Sequence, residues 1–418
     1  DVFVDAGSGF TSASKTITVN VPANMRNITF SGSTVPPVFK SLTTANPINI
    51  YGSSVWQAGM EVSSVYMYYR NTNTAKTITS NGVSVHADEV YFEEETSVSL
   101  LDDYSLAFGT MWHTAGTLTT NNHKVSSGGY SAEAGIKPRT LNMGSSEFNV
   151  TSSNSGAFAA KSTLLTLNAG TSHIRFTGLG NCKLWSNAGQ HYNNVTFENT
   201  GTGTLGYSNP TGKVYYNRVE FKGDGVLVSD NELKELIFSE DKTYSLEAGK
   251  TQTVTTRFSA HPATCGGQIM INSSSAGTQA KLVAASGTVI DVSGAVMKDI
   301  NASGGAVFNA LQSVDNGNNT GWVFSAASAK NLYWVGGNGN WNDVSHWSFT
   351  SGGTGGGCVP GPKDDVFFDG NSGFTATSKT VTVNVPAKMR NITFSGSSVP
   401  PVLNSASIYN ILDIYGSS

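Results

Sequence analysis

The chain has 418 residues, a net charge of −4 from 25 Lys and Arg against 29 Asp and Glu, and only 13% charged residues. Globular domains carry about 25% charged residues; here Ser, Thr and Asn, roughly a third of the chain, take their place. The sequence has no apolar run of about 18 residues for membrane insertion and no basic cluster that would neutralise a nucleic-acid backbone. It therefore predicts a β-rich protein with a polar surface, which neither inserts into membranes nor binds nucleic acid.

The first segment already has the pattern of half-buried strands. In Ile17-Thr18-Val19-Asn20-Val21 apolar and polar residues alternate, and Gly116-Thr117-Leu118-Thr119 repeats the pattern further on. Clusters of Gly, Asn and Ser separate such stretches at short intervals and supply the turns. No helical periodicity persists for more than a turn or two, so we expect an all-β protein.

A short triplet ending in phenylalanine recurs through the middle of the chain. Phe176, Phe197, Phe221, Phe238 and Phe258 end such triplets, at intervals of 21, 24, 17 and 20 residues. Intervals of roughly 20–30 residues are typical of one coil of a solenoid, whereas immunoglobulin-like sandwiches would repeat near every 100 residues. The spacing favours a parallel β-helix (β-solenoid) in which like residues form inward ladders.

Residues 326–364 differ in composition from the rest. They hold Trp334, Trp341 and Trp347 among many glycines, followed by the proline-rich stretch at residues 358–362. Such a stretch rich in glycine and proline indicates a junction between two units. The tryptophans either stack on sugar rings or fill the end of a core, and the dense glycines beside a repeat boundary favour the second interpretation.

Residues 365–418 repeat residues 1–54 without a gap, and about 37 of those 54 positions are identical. We therefore predict a solenoid repeat unit of about 364 residues, cut from a longer tandem array. Residues 1–325 form one unit without its own start segment, residues 326–364 form the junction, and residues 365–418 are the first coils of the next unit. Adjacent units of the same chain are the expected partners.

Candidate metal ligands are few. Asp315 begins a stretch with oxygen ligands around a glycine, but the terminal bidentate Glu of an EF-hand loop is missing. Asp365 and Asp369, the copies of Asp1 and Asp5, flank the start of the repeat and are further calcium candidates. Turn formation by Asp and Asn explains all of them without a metal. We therefore expect no cofactor, and a structural calcium ion at these positions is the alternative.

The sequence offers no catalytic constellation. Acidic residues occur in runs at 93–95, 102–103 and 364–365, but neighbours on a strand point to opposite faces. The seven histidines are scattered without a serine–aspartate arrangement or a metal motif. We therefore expect no enzymatic activity and no catalytic residues. A pair of carboxylates formed across coils would be invisible in the sequence, and it leaves open a polysaccharide-degrading or carbohydrate-binding β-helix.

Three cysteines, Cys182, Cys265 and Cys358, lie far apart in the sequence. They lack the spacing of a zinc site. Small buried thiols are the favoured interpretation, and a Cys182–Cys265 bridge is the alternative.

One family shares the boundary motifs. The string Tyr333-Trp334-Val335-Gly336-Gly337-Asn338-Gly339-Asn340-Trp341, with His346-Trp347-Ser348 after it, resembles the unit start of giant repeat-containing cell-surface adhesins of Bacteroidota. The stretches 301–308 and 314–322 resemble the closing motif of the same units. The best-known members are gliding-motility adhesins of the SprB type, which the type IX secretion system exports.

This resemblance implies an extracellular, surface-anchored filament. The segment would form a stiff stalk for adhesion to a polysaccharide or a solid surface, and for gliding motility. The gliding and secretion machinery would bind through other parts of the polypeptide. The family's motifs bring no catalytic residues.

Overall fold

The computed structural model is all-β, with 1% helix and 50% strand, and its parallel strands stack as a β-solenoid of about 17 turns. The predicted fold class is thereby confirmed. The structure describes residues 1–152, 156–206, 212–262, 267–325 and 328–418. It forms two compact units. The first comprises residues 1–237, 244–257 and 273–288, and the second comprises residues 238–243, 258–272 and 289–418.

One sheet of the first unit takes one short strand from each of eight successive coils, and all its neighbours pair in parallel. Its strands are Val2–Val4, Ile28–Phe30, Ser54–Val55, Lys76–Thr79, Ser97–Leu100, Gly116–Thr119, Arg139–Asn142 and Leu165–Asn168. The order in the sheet is the order in the chain, as stacking of one coil on the next requires.

The remaining strands that lie wholly or mostly in the first unit form the other sides of its coils. They are Thr16–Val19, Ala23–Met25, Val38–Ser41, Ile48–Ile50, Glu61–Tyr69, Ser84–Phe92, Tyr104–Leu106, Thr110–His113, Val125–Ser127, Gly129–Ser131, Glu147–Val150, Gly156–Ala159, His173–Phe176, Cys182–Trp185, His191–Phe197, Gly203–Leu205, Lys213–Phe221, Gly225–Leu227, Asp230–Phe238, Lys242–Leu246, Thr251–Ala260 and Ala280–Ala284. A 3₁₀ turn, Ala6–Ser8, interrupts the first coil.

The second unit is built in the same way from shorter strands. They are Ile269–Ser273, Val289–Ser293, Ala295–Lys298, Ile300–Ser303, Asn309–Leu311, Val314–Asp315, Val323–Phe324, Asn331–Trp334, Gly339–Asn340, Trp347–Ser348, Asp365–Phe368, Thr380–Val383, Ala387–Met389, Asn391–Phe394, Val402–Ser405 and Leu412–Ile414, with a 3₁₀ turn at Val344–His346. Strands Asn331–Trp334 and Trp347–Ser348 pair antiparallel, whereas Asn331–Trp334 and Asp365–Phe368 pair in parallel.

The core of the first unit is a set of inward ladders. Phe176 lies opposite Phe197, and Phe197 lies opposite Phe221, in parallel register. Their rings stack with centroids 4.7 and 4.5 Å apart and planes 4° and 7° from parallel. The 21- and 24-residue intervals in the sequence are therefore single coils, as predicted. In the second unit Phe238 and Phe258 meet edge to face at 5.5 Å.

Candidate functional site

The three junction tryptophans lie together in the core of the second unit, and none of them is exposed. Trp347 meets Trp334 and Trp341 edge to face, with ring centroids 5.1 and 4.9 Å apart. The indole N–H of Trp334 donates to the Gly337 carbonyl at 2.8 Å, and that of Trp347 donates to the Trp341 carbonyl at 2.7 Å. A sugar would need an open ring face, so this burial supports core filling rather than a glycan platform.

The junction segment shares that core with the second copy of the repeat. Leu332 lies opposite Val366 in parallel register, and both are fully buried beside Phe368. The imidazole of His346 stacks on Trp334 at 4.8 Å. A Cβ on Gly339 would lie only 2.3 Å from a nitrogen of that ring, so the space taken by His346 requires glycine at this position. Residues 328–348 thus form the first layer of the coils that follow.

The three calcium candidates bind donors from their own chain. Asp315 accepts hydrogen bonds from the backbone N–H of Gly317 and the side chain of Asn319, and Asp369 accepts one from the N–H of Asn371. These are the bonds of aspartate turns. Hydrogen bonds from the Arg390 guanidinium hold the pKa of Asp365 below its usual value. No group of three or more His, Cys, Asp or Glu within the described ranges is placed to hold a metal ion.

Each acidic residue of the runs at 93–95, 102–103 and 364–365 also has a bonding partner within the fold. The partners are Arg70 for Glu93, Lys76 for Glu94, Lys137 for Glu95, the N–H groups of Ser80 and Asn81 for Asp102, the N–H of Lys124 for Asp103, those of Lys330 and Gly361 for Asp364, and Arg390 for Asp365. Most of these bonds connect successive coils. The carboxylates therefore serve the stacking of the coils.

The cysteines differ in state. Cys182 is a buried free thiol whose pKa burial raises, which excludes the Cys182–Cys265 alternative. Cys358 is disulfide-bonded, so the expectation of small buried thiols is wrong for this residue. Cys265 lies outside the described residues. The spacing of the cysteines gave no signal for the disulfide, because residues distant in sequence can lie within bonding distance in the fold.

The sequence analysis missed an aromatic ladder on the outer surface of the first unit. Tyr91 lies opposite Tyr68 on one side and opposite Trp112 on the other. The ring centroids are 4.6 and 6.0 Å apart, and the planes of both pairs are within 12° of parallel. Because parallel rings on successive coils face along the direction of stacking, Trp112 turns one face to Tyr91 and the other toward the next coil.

Beyond Trp112 the same outward column continues with Ser131, Ala159 and Trp185, one residue per coil. Two small side chains between two indoles leave a groove of about 270 Å³, which we call the Trp112 groove. It is lined by Phe108, Thr110, Trp112, Gly128, Gly129, Tyr130, Ser131, Glu133, Ser152, Ala157, Ala159 and Trp185.

An ion pair lies at the far wall of the Trp112 groove. The ammonium of Lys161 is 4.3 Å from the centre of the Trp185 ring and 2.9 Å from a carboxylate oxygen of Glu133. Both charged side chains are about a quarter exposed. The groove therefore combines an aromatic face, a floor of small residues and an ion pair, and the ammonium of Lys183 lies 5.5 Å from the centre of the same Trp185 ring.

No protein-family model, no curated protein and no solved structure matches the chain. The resemblance to gliding-motility adhesins therefore stays a prediction. Within the residues that the structure describes, no helix is both long and apolar enough to cross a membrane.

Proposed function

We propose that the chain is a structural and adhesive repeat segment of a long extracellular bacterial surface filament, which gives an extended, stiff stalk for surface adhesion and gliding motility. Stacked coils suit this role because stability is roughly a sum of terms between neighbouring coils, so length is gained by adding repeats. In this proposal the neighbouring repeat units are the principal partners, and adhesion to polysaccharide or solid surfaces takes place along the outer face.

The observation that carries the proposal is that the stack of coils runs through the junction into the second copy of the repeat, where Leu332 lies opposite Val366 and both are fully buried. Ile48 and Ile50 are fully buried in the first copy, where the strand Glu61–Tyr69 pairs with them. Their equivalents Leu412 and Ile414 are 37% and 39% exposed.

At the start of the repeat the second copy is the more buried of the two. Val366 is fully buried beneath the junction strand Asn331–Trp334, whereas its equivalent Val2 is 39% exposed and the adjacent Phe3 is 70% exposed. Uncovered strand edges favour association, so a repeat protein benefits from covering each one with the next unit.

Charges on the outer face alternate in sign from coil to coil. Glu147 pairs with Lys124 and Arg175, and Glu198 pairs with Arg175 and Lys222. Each of these side chains is partly exposed, so every pair is weak by itself. A continuous row of pairs nevertheless avoids like-charge repulsion along the stack. This pattern suits a long solenoid with a polar surface.

A first experiment tests location and role. Antibodies raised against residues 1–418 should label intact cells of the source organism without permeabilisation, and brief protease treatment of those cells should remove the signal. Deletion of the repeat should reduce both attachment and gliding. Labelling only after permeabilisation, or normal attachment and gliding without the repeat, would contradict the proposal.

A second experiment tests the continuing stack. Residues 55–94 are appended after residue 418, in the register that the first copy defines. Amide exchange at residues 402–414 should slow at least tenfold, because a coil now covers Leu412 and Ile414. A matched control appends the same forty residues in scrambled order. Equal exchange in the two extended proteins would argue against repeat stacking.

A further inference from the structure

We infer that the Trp112 groove binds a neutral hexopyranose residue of a polysaccharide, stacked on the open face of Trp112. The inference rests on the proposed adhesive function and adds a binding site and a ligand class to it. It differs from the less favoured alternative of the sequence analysis, sugar binding by Trp334, Trp341 and Trp347, all of which are buried.

The orientation of Trp112 is fixed before any ligand arrives. Tyr91 stacks on one face at 6.0 Å and is itself stacked on Tyr68 at 4.6 Å. The guanidinium of Arg70 lies 3.8 Å from the centre of the Tyr68 ring and extends the stack. A ring held in such a stack has little rotational freedom to lose on binding, which favours affinity. The opposite face of the indole looks into the groove.

The floor of the groove gives a flat ligand room to reach that face. Trp112 and Trp185 are three coils apart, a distance of about 14 Å at the usual strand spacing. The two coils between them present Ser131 and Ala159 in the same column, and Gly129 and Ala157 in the column beside it. Because Ser131 and Ala159 are only 6% and 3% exposed, a sugar ring in the groove of about 270 Å³ would lie above this floor, against the face of the indole.

Glycine occupies positions 128 and 129 for two different steric reasons. A Cβ on Gly128 would lie 1.9 Å from the Phe108 carbonyl oxygen, so the close approach of coils requires glycine there. A Cβ on Gly129 would lie 3.1 Å from the Ala157 carbonyl oxygen, a tight contact that requires the Ala157 backbone to shift by a few tenths of an ångström. Any larger side chain at 129 would project into the groove and shorten it.

The polar groups lie where the rim of a stacked sugar would need them. Glu133 and Lys161 form an ion pair at the wall opposite Trp112, and Thr110 and Ser152 add hydroxyl groups to the lining. A pyranose has an apolar face of C–H groups and a rim of hydroxyls that both donate and accept hydrogen bonds. Pockets that combine aromatic walls with a few placed polar groups suit such amphipathic ligands.

The charge of the groove argues for a neutral sugar. Glu133 is the charged residue that lines the groove, and it pairs with Lys161. The ammonium of Lys183 lies 5.5 Å from the centre of the Trp185 ring, but Lys183 does not line the groove, so an anionic ligand in the groove meets a carboxylate. Nucleobases also stack on aromatic rings, but single-stranded nucleic acids bind in grooves with excess positive charge. The whole chain carries −4. A neutral polysaccharide is therefore the favoured ligand.

The test is a fluorescence and calorimetric titration of the 418-residue protein with soluble neutral oligosaccharides. The probes are the hexose oligomers cellohexaose, mannohexaose and laminarihexaose, with oligogalacturonate and an oligo-dT of twenty nucleotides as charged probes. We expect at least one hexose oligomer to bind and to change tryptophan emission. Trp112→Ala should weaken that binding at least tenfold, whereas Trp112→Phe, which keeps a ring face, should weaken it about threefold.

Two matched variants separate binding from folding. Ala157→Gln fills the floor of the groove and leaves every aromatic residue unchanged. It should weaken binding as much as Trp112→Ala. Tyr66→Ala removes an outward ring that meets Tyr68 and Tyr91 edge-on and does not line the groove, and it should bind within twofold of the parent protein. Circular dichroism and thermal melting accompany each titration, so a loss of binding is scored only for folded variants.

The inference is overturned if no neutral hexose oligomer binds, if Trp112→Ala and Ala157→Gln bind like the parent protein, or if only oligogalacturonate or oligo-dT binds. These outcomes leave the amide-exchange test of stacking unaffected. Conversely, sugar binding at Trp112 in a protein absent from the cell surface would contradict the proposed function alone.

Discussion

Arg390 holds Asp365 in a two-pronged ion pair, in which Nε donates to Oδ1 at 2.8 Å and Nη2 donates to Oδ2. Asn391 adds a third bond to the same carboxylate at 2.7 Å. Asp1 accepts the same three bonds from Arg26 and Asn27 at 2.9, 2.7 and 2.8 Å. Since Asp365 and Asn391 lie opposite each other on neighbouring strands, the clamp joins two coils at the start of each repeat copy.

Loss of this clamp should cause a small, pH-dependent destabilisation. Arg390 lowers the pKa of Asp365, so the carboxylate contributes stability above its unfolded pKa of about 3.9 and loses it as the pH falls through the lower folded value. Asp365→Asn should therefore lower the melting temperature by a few degrees at pH 7, because exposed pairs are screened. The difference from the parent protein should shrink as the pH falls below the unfolded pKa of about 3.9 and vanish below the lowered folded pKa.

Melting curves between pH 2 and 8 measure this difference. Glu61→Gln removes an exposed carboxylate and serves as the control. A constant difference between Asp365→Asn and the parent protein across the whole pH range would show that the charge has no part in the clamp.

Truncation of Phe197 should be among the substitutions that lower the free energy of unfolding most. Phe197 is fully buried, and its ring stacks on Phe176 and Phe221 in the coils on either side. Phe197→Ala should lower the free energy of unfolding by about 3–5 kcal/mol, because the cavity opens in the middle of a ladder. Phe108→Ala, at a ring that is 54% exposed, should cost under about 1 kcal/mol. Denaturant titration compares the two variants, and equal costs would contradict a continuous inner ladder.

This ladder was predictable from the sequence because stacking repeats one chemical choice at one position of each coil. Phe176, Phe197 and Phe221 are separated by intervals that each correspond to one coil, so their spacing gave the register. The repeated segment was equally predictable, since identical sequence implies identical coils. The spacing cannot predict which side chains interact at the turns between strands, because the interacting residues come from neighbouring coils of unequal length.

Lys76 and Glu94 form a fully buried ion pair beside such a turn. Lys76 also donates to the hydroxyl of Thr72 at 2.9 Å, and Glu94 accepts from the backbone N–H groups of Thr72 and Thr96 at 3.0 and 3.2 Å. Lys76→Met should cost about 3–5 kcal/mol, because it leaves a carboxylate buried without its counter-charge. Adding Glu94→Gln should recover part of that loss.

A double-mutant cycle measured by denaturant titration gives the coupling energy between the two residues. The pair Lys137 and Glu95, each at least one-third exposed, supplies the matched surface cycle, for which we expect far weaker coupling. Additive effects of Lys76→Met and Glu94→Gln would contradict a buried pair.

The sequence located the acidic run at 93–95 without revealing that only Glu94 points inward. Its partner Lys76 comes from the previous coil, and nothing in the local pattern identifies it. The Trp112 groove was missed for a similar reason. Trp112, Ser131, Ala159 and Trp185 share one outward column, but the coils between them differ in length, so the four positions have no common interval in the sequence.

His113 should make the first unit sensitive to mild acid. Its ring is buried, Nε2–H donates to the Gly116 carbonyl at 3.0 Å, and Nδ1 accepts from the hydroxyl of Tyr130 at 2.9 Å. These bonds fit a neutral imidazole, and burial lowers the pKa of His113 to about 4. Between the unfolded pKa of about 6.5 and this value, the unfolded chain binds a proton that the folded chain does not bind.

Stability from His113 is therefore complete above about pH 6.5 and falls with decreasing pH, by about 3 kcal/mol in all by pH 4. His113→Gln keeps a donor and an acceptor without the titration, so it should flatten the loss of stability over this range. His86→Gln, at an exposed ring, is the control substitution. Denaturant titrations at pH 7.5, 6, 5 and 4 measure the slopes; equal slopes for His113→Gln and the parent protein would mean that His113 is already protonated in the folded state.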